Sequence, residues 1–152
     1  MKLKLILVAL VIAVSSCGGN DKKEVKKEAP VKEVVKEVVK TNPMDDKGVG
    51  PITSVTIGAL DQALADKGHV LFKAKCSACH KINKRYIGPA LRGVTKKQSP
   101  EWIMNMILNP EVMIVQNAKA KALLAEYNAP MANQNLTQDE ARAILEYFRT
   151  KN

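Results

Sequence analysis

The chain has 152 residues, of which 24 are Lys or Arg and 15 are Asp or Glu, so its formal net charge at pH 7 is +9. This length allows one domain of ordinary size with flanking segments. Because only 4% of the residues are aromatic, the side chains alone provide a thin core.

The chain begins with the pattern of an export signal. Residues 1–16 contain two lysines, an apolar run from Leu5 to Val14 and two small residues before Cys17. The apolar run is too short for a stable membrane-spanning helix and is typical of a signal that is removed. Residues 14–17 resemble the lipobox of bacterial lipoproteins, which implies acylation of Cys17 and lasting membrane anchoring. An ordinary secretory signal with an incidental cysteine is the alternative.

Residues 17–58 have the composition of a tether. Between Gly18 and Ile57 there is no aromatic residue, and eight lysines are balanced by seven acids. Such low complexity predicts a flexible coil, and ~40 residues of coil would have a reach of about 35 Å. Valines at helical spacing within residues 31–40 leave a short amphipathic helix as the alternative.

Residues 59–152 are predicted to form one helical domain, because helix signals recur and strand-like alternation is absent. The predicted helices are one that leads into the cysteines near 76, one from Ser99-Pro100 to Asn109-Pro110, one within Gln116–Tyr127 and one after Thr137. The last has the clearest start, since Thr137 and Glu140 form a capping box. The packing of the segment from Glu111 to Tyr127 is not predictable from the sequence.

The stretch Cys76-Ser77-Ala78-Cys79-His80 carries the chemistry of the chain. Two cysteines separated by two residues and followed by a histidine form the attachment signature of c-type haem, with the imidazole as one axial ligand. A structural zinc site is an alternative, but it needs four ligands, and the only other histidine, His69, has an unusual spacing. A thioredoxin-like pair would need a βαβ context that this chain lacks.

The domain at residues 59–152 resembles a class I cytochrome c. Gly68 and Phe72 match positions of the family's N-terminal helix, and Ile144 and Tyr147 match positions of the C-terminal helix that crosses it. The resemblance implies a small all-α fold around one covalently attached haem c, with the two helices in close approach at the glycine.

The resemblance also implies the surroundings of the iron. Pro89, in the family's proline segment, would accept a hydrogen bond from His80, and Met131 after Pro130 would supply the second axial ligand. Met113 is its main competitor, and Trp102 is predicted either to reach a haem propionate or to pack in the core. The other internal methionines are assigned to the tether or to core packing: Met44, Met104 and Met106.

Basic residues surround the haem motif in the sequence. From Lys67 to Lys97 there is no acid, and the basic residues form what we call the basic collar: Lys67, Lys73, Lys75, Lys81, Lys84, Arg85, Arg92, Lys96 and Lys97. The collar predicts docking to acidic redox partner proteins with faster encounter at low salt. Solubility or attraction to anionic lipid is the alternative.

Together these features predict a one-electron carrier rather than an enzyme. It would be a lipoprotein of the bacterial cell envelope, with the haem domain in the periplasm or otherwise outside the cytoplasmic membrane. There it would serve electron donor and acceptor complexes of a respiratory chain, and this compartment excludes nucleic acid. The alternative is a gas sensor or peroxidase-like enzyme with an open sixth site, but the sequence places no distal acid or base over the iron.

Overall fold

The computed structural model describes residues 42–152, which form five α-helices and no strand. The helices are α1 (Gln62–Leu71), α2 (Pro100–Leu108), α3 (Pro110–Gln116), α4 (Ala118–Tyr127) and α5 (Gln138–Arg149). Within this part of the chain, no helix is both long and apolar enough to cross a membrane. The all-α prediction is confirmed for these residues, whereas the predictions for residues 1–16, for Cys17 and for residues 31–40 lie outside them.

Two helices begin where the sequence signals predicted. At α2, the hydroxyl of Ser99 accepts a hydrogen bond of 3.0 Å from the backbone N–H of Trp102, and Pro100 occupies the first turn. At α5, the N–H of Glu140 donates to the Thr137 hydroxyl over 3.2 Å, and the Glu140 carboxylate accepts from the Thr137 N–H over 2.8 Å. Both starts therefore depend on side chains within three residues of the helix.

The crossing of α1 and α5 forms the centre of the domain. Gly68 is buried at the crossing, and a Cβ atom at this position would overlap the backbone carbonyl of Ala143. Next to it, the ring of Phe72 packs 5.4 Å from Tyr147 and edge-on to Phe148 at 5.9 Å. The close approach at a glycine, which the family resemblance implied, is confirmed.

The segment from Glu111 to Tyr127 forms α3 and α4 and adds a second layer beside α2. Helix α3 packs against both α2 and α4. Met113 on α3 and Ala120 on α4 are fully buried, at 0% exposure. Between them, the side chain of Asn117 accepts a 3.0 Å hydrogen bond from the N–H of Ala120 and so caps α4.

Residues 42–57, the N-terminal segment, pack on the helices although their composition predicted a tether that continues to residue 58. Ile52 is 7% exposed, and its N–H donates to the side chain of Asn105 over 2.9 Å. The same amide donates to the carbonyls of Lys47 and Ile52, each over 2.9 Å. The packed part of the chain therefore begins before Ala59, because buried side chains such as Asn105 and Asn117 bind this segment to the helices.

Candidate haem-binding cavity

A cavity of about 720 Å³ lies among the helices of the described part of the chain. This volume is within the usual range for sites that enclose a cofactor. Its wall contains all six residues that were predicted to surround a haem: Cys76, Cys79, His80, Pro89, Trp102 and Met131. The fold thus brings together side chains that are up to 55 residues apart in the sequence.

The two cysteines are placed by a π-helical turn, Phe72–Cys76, that continues α1. The turn ends in a tight loop, in which the N–H groups of Cys79 and His80 both donate to the Cys76 carbonyl, over 3.1 and 2.9 Å. Burial, assisted by the neighbouring Cys79, raises the pKa of the Cys76 thiol to about 11. In the polypeptide alone this thiol is therefore neutral at pH 7.

The ring of His80 is held by the segment Gly88-Pro89. Nδ1 of His80 lies 3.1 Å from the carbonyl oxygen of Pro89. A carbonyl can only accept, so Nδ1 carries the proton and Nε2 keeps its lone pair for a metal. Burial lowers the pKa of His80, and the Pro89 carbonyl opposes this effect, so the imidazole is neutral at pH 7. A Cβ at Gly88 would collide with the imidazole ring.

The structure reduces the number of methionines that can reach a haem. Met113 is fully buried outside the cavity, and its sulfur accepts a 3.0 Å hydrogen bond from the N–H of Val49. Met104, at 4% exposure, also lies outside the cavity wall. Three methionines line the wall: Met44, Met106 and Met131. For Met106 this differs from the expectation of simple core packing, because its position on α2 faces the cavity.

Trp102 lines the cavity, but its indole N–H already has a partner. Nε1 donates to the side-chain oxygen of Asn117 over 3.1 Å, and the Asn117 amide donates to both carboxylate oxygens of Asp46, each over 2.9 Å. The side chain of Trp102 is 4% exposed. Of the two predictions for Trp102, the geometry therefore supports core packing over a bond to a haem propionate.

The structure also shows cavity residues that the sequence analysis missed. The N-terminal segment contributes Asn42, Pro43 and Met44, and α4 contributes Leu123 and Tyr127. Gln98, which is 6% exposed, lines the wall as well. No local pattern could have found them, because each reaches the cavity through contacts distant in the sequence.

Positive charge surrounds the cavity. Four members of the basic collar line its wall: Lys75, Arg85, Lys96 and Lys97. Lys119 on α4 lines it too, outside the collar. Arg85 stacks on the ring of Tyr127 at 4.1 Å and lies 3.6 Å from the carboxylate of Glu126, so it joins the loop after His80 to the end of α4.

The site has the chemistry that a covalently attached haem requires. It combines two thiols on one turn, a neutral imidazole with an available nitrogen, a thioether and a wall with many apolar side chains. Within residues 42–152, no group of three or more His, Cys, Asp or Glu side chains is placed so that it could hold a zinc ion. His69 lies exposed on α1 and stacks on Tyr147 at 4.9 Å, as expected for a surface residue. The fold and site define a c-type haem protein.

Comparison with known proteins identifies the family. The family model described as Cytochrome c matches residues 65–151. The chain belongs to the cytochrome c family, which implies a covalently bound haem c and a role in electron transfer.

Individual relatives agree with this result. The structure of cytochrome c from Rhodothermus marinus is 47% identical, with a TM-score of 0.65, over 66% of this chain and 88% of that chain. Cytochrome c-551 of Stutzerimonas stutzeri is 45% identical over 42 residues, which are 27% of this chain and 40% of the relative. A cytochrome c-553-like protein of Synechocystis sp. is 39% identical over 46 residues, 30% of this chain and 44% of that protein. The chain thus spans about two fifths of the curated relatives it matches.

Proposed function

We propose that the protein is a membrane-tethered one-electron carrier of a bacterial respiratory chain, with His80 and Met131 as the axial ligands of its haem iron. The observation that carries this proposal is the placement of His80, fixed at Nδ1 by Pro89, in the same cavity as Met131. Membership in the cytochrome c family supports the carrier role.

The haem would supply the redox chemistry, since its iron cycles between the ferrous and ferric states. The chain's own residues would hold and orient that haem. Cys76 and Cys79 would hold the group through its vinyl carbons, and the hydrogen bond to Pro89 fixes the orientation of the His80 ring. The apolar side chains of the wall, such as Ile103, Ile107 and Ile144, would limit the contact of the bound group with water.

Geometry supports Met131 over the other two methionines on the wall. Met131 lies in the loop between α4 and α5 and is half-buried against the core. Met44 is 40% exposed, and Met106 belongs to the regular helix α2. A loop can adjust to bring a sulfur to the iron, whereas a residue within a packed helix cannot move without disturbing its neighbours.

The setting of the carrier is part of the proposal. Acylation at Cys17 would anchor the chain in the cell envelope, with the haem domain in the periplasm or otherwise outside the cytoplasmic membrane. The basic collar would then guide the domain to acidic surfaces of donor and acceptor complexes at the membrane.

The test compares Met131→Ala with Met113→Ala in the haem-loaded protein. Covalent attachment is checked first, since the haem must remain with the polypeptide after denaturation and acid-acetone extraction. Met131→Ala is expected to remove the near-infrared sulfur-to-iron band of the ferric protein, lower the redox potential and admit carbon monoxide rapidly to the ferrous iron. Met113→Ala, whose sulfur lies outside the cavity, is expected to keep the band.

Two results would overturn parts of the proposal. Loss of the band in a variant other than Met131→Ala would reassign the ligand and leave the carrier role intact. Rapid carbon monoxide binding by the wild-type protein, without a methionine band, would show an open sixth site. The gas sensor or peroxidase-like alternative would then replace the carrier.

A further inference from the structure

The loop that contains Met131 begins at the end of α4. Helix α4 ends at Tyr127, and Asn128 follows in the left-handed conformation, with a φ of 50°. The N–H of Asn128 donates to the carbonyl of Leu124 over 2.8 Å, which closes the helix. Only two residues separate Asn128 from Met131. The position of the end of α4 therefore limits where the methionine sulfur can lie.

Arg85, which lies 41 residues before Glu126, binds the end of α4 by three contacts. Its Nη2 donates to the Glu126 carbonyl oxygen over 3.0 Å, and its Cζ lies 4.1 Å from the centre of the Tyr127 ring. Its Nη1 lies 3.6 Å from the Glu126 carboxylate. The last four carbonyls of a helix have no partner within the helix, and the last turn of α4 contains no basic residue. Arg85 thus supplies a donor and a positive charge that α4 itself lacks.

Arg85 belongs to the loop that holds the ring of His80. This loop runs from His80 to Pro89, whose carbonyl lies 3.1 Å from Nδ1 of the imidazole. The N–H of Gly88 donates to the Cys79 carbonyl over 2.9 Å, so the loop is bound to the turn that carries the cysteines. One side chain therefore joins the segment of the histidine to the loop that contains the proposed methionine ligand.

We propose that Arg85 is a positioning residue for the axial methionine, which keeps Met131 on the iron by holding the end of α4. This inference rests on the proposed function, because it requires Met131 to be the ligand. Exchange of the thioether for another ligand needs a second arrangement of the loop, in which the sulfur has left the cavity centre. Contacts that Arg85 makes only in the first arrangement disfavour the second.

The three contacts of Arg85 are not expected to contribute equally. The side chains of Arg85 and Glu126 are 57% and 55% exposed, and ion pairs between exposed groups contribute little because water and salt screen them. A planar guanidinium can stack on Tyr127 and donate to the Glu126 carbonyl at the same time, and an ammonium group lacks this flat shape. Stacking and the carbonyl hydrogen bond are therefore the contacts that matter most.

The experiment titrates the ferric, haem-loaded protein with imidazole, which competes with the methionine, and follows the near-infrared band. Arg85→Ala is expected to lower the imidazole concentration at half loss of the band about threefold to tenfold. Hydrogen exchange should become faster at Asn128 and remain unchanged in α5. Arg85→Lys should behave nearly like Arg85→Ala, whereas Glu126→Gln, which keeps the backbone carbonyl, should behave nearly like the wild type.

Lys84→Ala is the matched control, because it removes the same positive charge from an exposed neighbour that lies outside the cavity wall. It should leave the titration and the exchange at Asn128 unchanged. The double variant Arg85→Ala/Tyr127→Leu should change the titration by less than the product of its two single effects, because both substitutions remove the same contact.

The inference is overturned if Arg85→Ala retains the wild-type titration, or if Lys84→Ala changes it equally, which would assign the effect to charge alone. Faster exchange in α5 as well as at Asn128 would show a general loss of stability and would also overturn it. Failure of the proposed function looks different, because the wild-type protein would then lack the methionine band before any imidazole is added.

Discussion

Gly68 determines how closely α1 and α5 approach each other. A Cβ atom at residue 68 would collide with the backbone of Ala143 and would lie 2.9 Å from the backbone nitrogen of Ile144. Backbone atoms inside a packed helix cannot move aside as a flexible side chain can. The whole helix pair would have to separate to admit one methyl group.

We therefore expect Gly68→Ala to destabilise the haem-loaded protein by about 1–3 kcal/mol, in spite of the higher helix propensity of alanine. Guanidinium unfolding followed by circular dichroism measures the loss. Gly58→Ala is the matched control, because nothing lies within 4 Å of a Cβ at that position. It should change the free energy of unfolding by less than about 0.5 kcal/mol. Equal effects of the two substitutions would contradict the role of Gly68.

At the residue scale, the sequence predicted what depends on short spacing. The Cys76, Cys79 and His80 group lies within five residues, and the structure places all three on one wall. The sequence could not predict which residues bind the buried side-chain amides. Asn117 binds Asp46 from 71 residues away, and no pattern in the sequence marks such a pair. The burial of Met113 was missed for the same reason, since its contact with Val49 spans 64 residues.

At the scale of elements, the N-terminal segment (residues 42–57) is bound to α2 by several side chains, of which Asn105 makes three hydrogen bonds. Asn105 is 1% exposed and makes hydrogen bonds with the backbone of Lys47 and Ile52. The segment has no helix or strand of its own, so its backbone groups depend on such side-chain partners. Because Asn42 and Met44 line the haem cavity, the same fastening completes the cavity wall.

Asn105→Ala should release this segment while the helices persist. Loss of the amide leaves the Ile52 N–H and two carbonyls without their partner, which costs about 1–3 kcal/mol. Hydrogen exchange should show faster exchange at Ile52 than in the wild type, with little change in α5. Asn83→Ala is the control, since Asn83 is exposed and makes its bond to Arg92 on the surface. Unchanged protection of Ile52 would show that other contacts hold the segment.

Helices were predicted better than the segments between them, and the reason is physical. Caps such as Ser99 and Thr137 bind backbone groups within one turn, so the local sequence is sufficient to predict where these helices begin. The N-terminal segment was assigned to the tether because its charges balance and it lacks aromatic residues. Its packing depends instead on Ile52 and on Asn105, which lies 53 residues further along the chain.

At the scale of the whole molecule, basic side chains line the cavity within residues 42–152. Lys75 of the basic collar lines the cavity and is exposed to solvent. Arg85 of the same collar is instead stacked on Tyr127 and pairs with Glu126. Lys75, which forms no salt bridge within residues 42–152, is therefore a better probe of long-range steering than the paired Arg85. Exposed charges act over about one Debye length, roughly 10 Å at 0.1 M salt.

If the collar steers redox partners, oxidation of the ferrous protein by ferricyanide, an anion, should slow as ionic strength rises. Lys75→Glu should lower the rate at low salt about threefold to tenfold. Lys121→Glu makes the same charge change on α4 at an exposed residue away from the cavity wall, and it should have a smaller effect. A cationic cobalt oxidant should show the opposite salt trend. If the rates with both oxidants were independent of salt, the collar would not steer partners and would serve only solubility.

The last prediction concerns whether a lipid anchor holds the chain at a membrane. The pattern of residues 14–17 predicts acylation of Cys17, and two or more acyl chains give lasting anchorage where a single chain gives only reversible binding. In cells that process lipoproteins, the wild-type protein should fractionate with membranes and need detergent for release. Mass spectrometry should show fatty acids on its mature N-terminus.

Cys17→Ser should remove the lipid and give either a soluble protein or an unprocessed precursor. Since Cys76 and Cys79 are untouched, haem should still attach to any exported Cys17→Ser protein. Equal membrane partition of the two forms, both loaded with haem, would show that the domain is held by a partner protein and not by lipid.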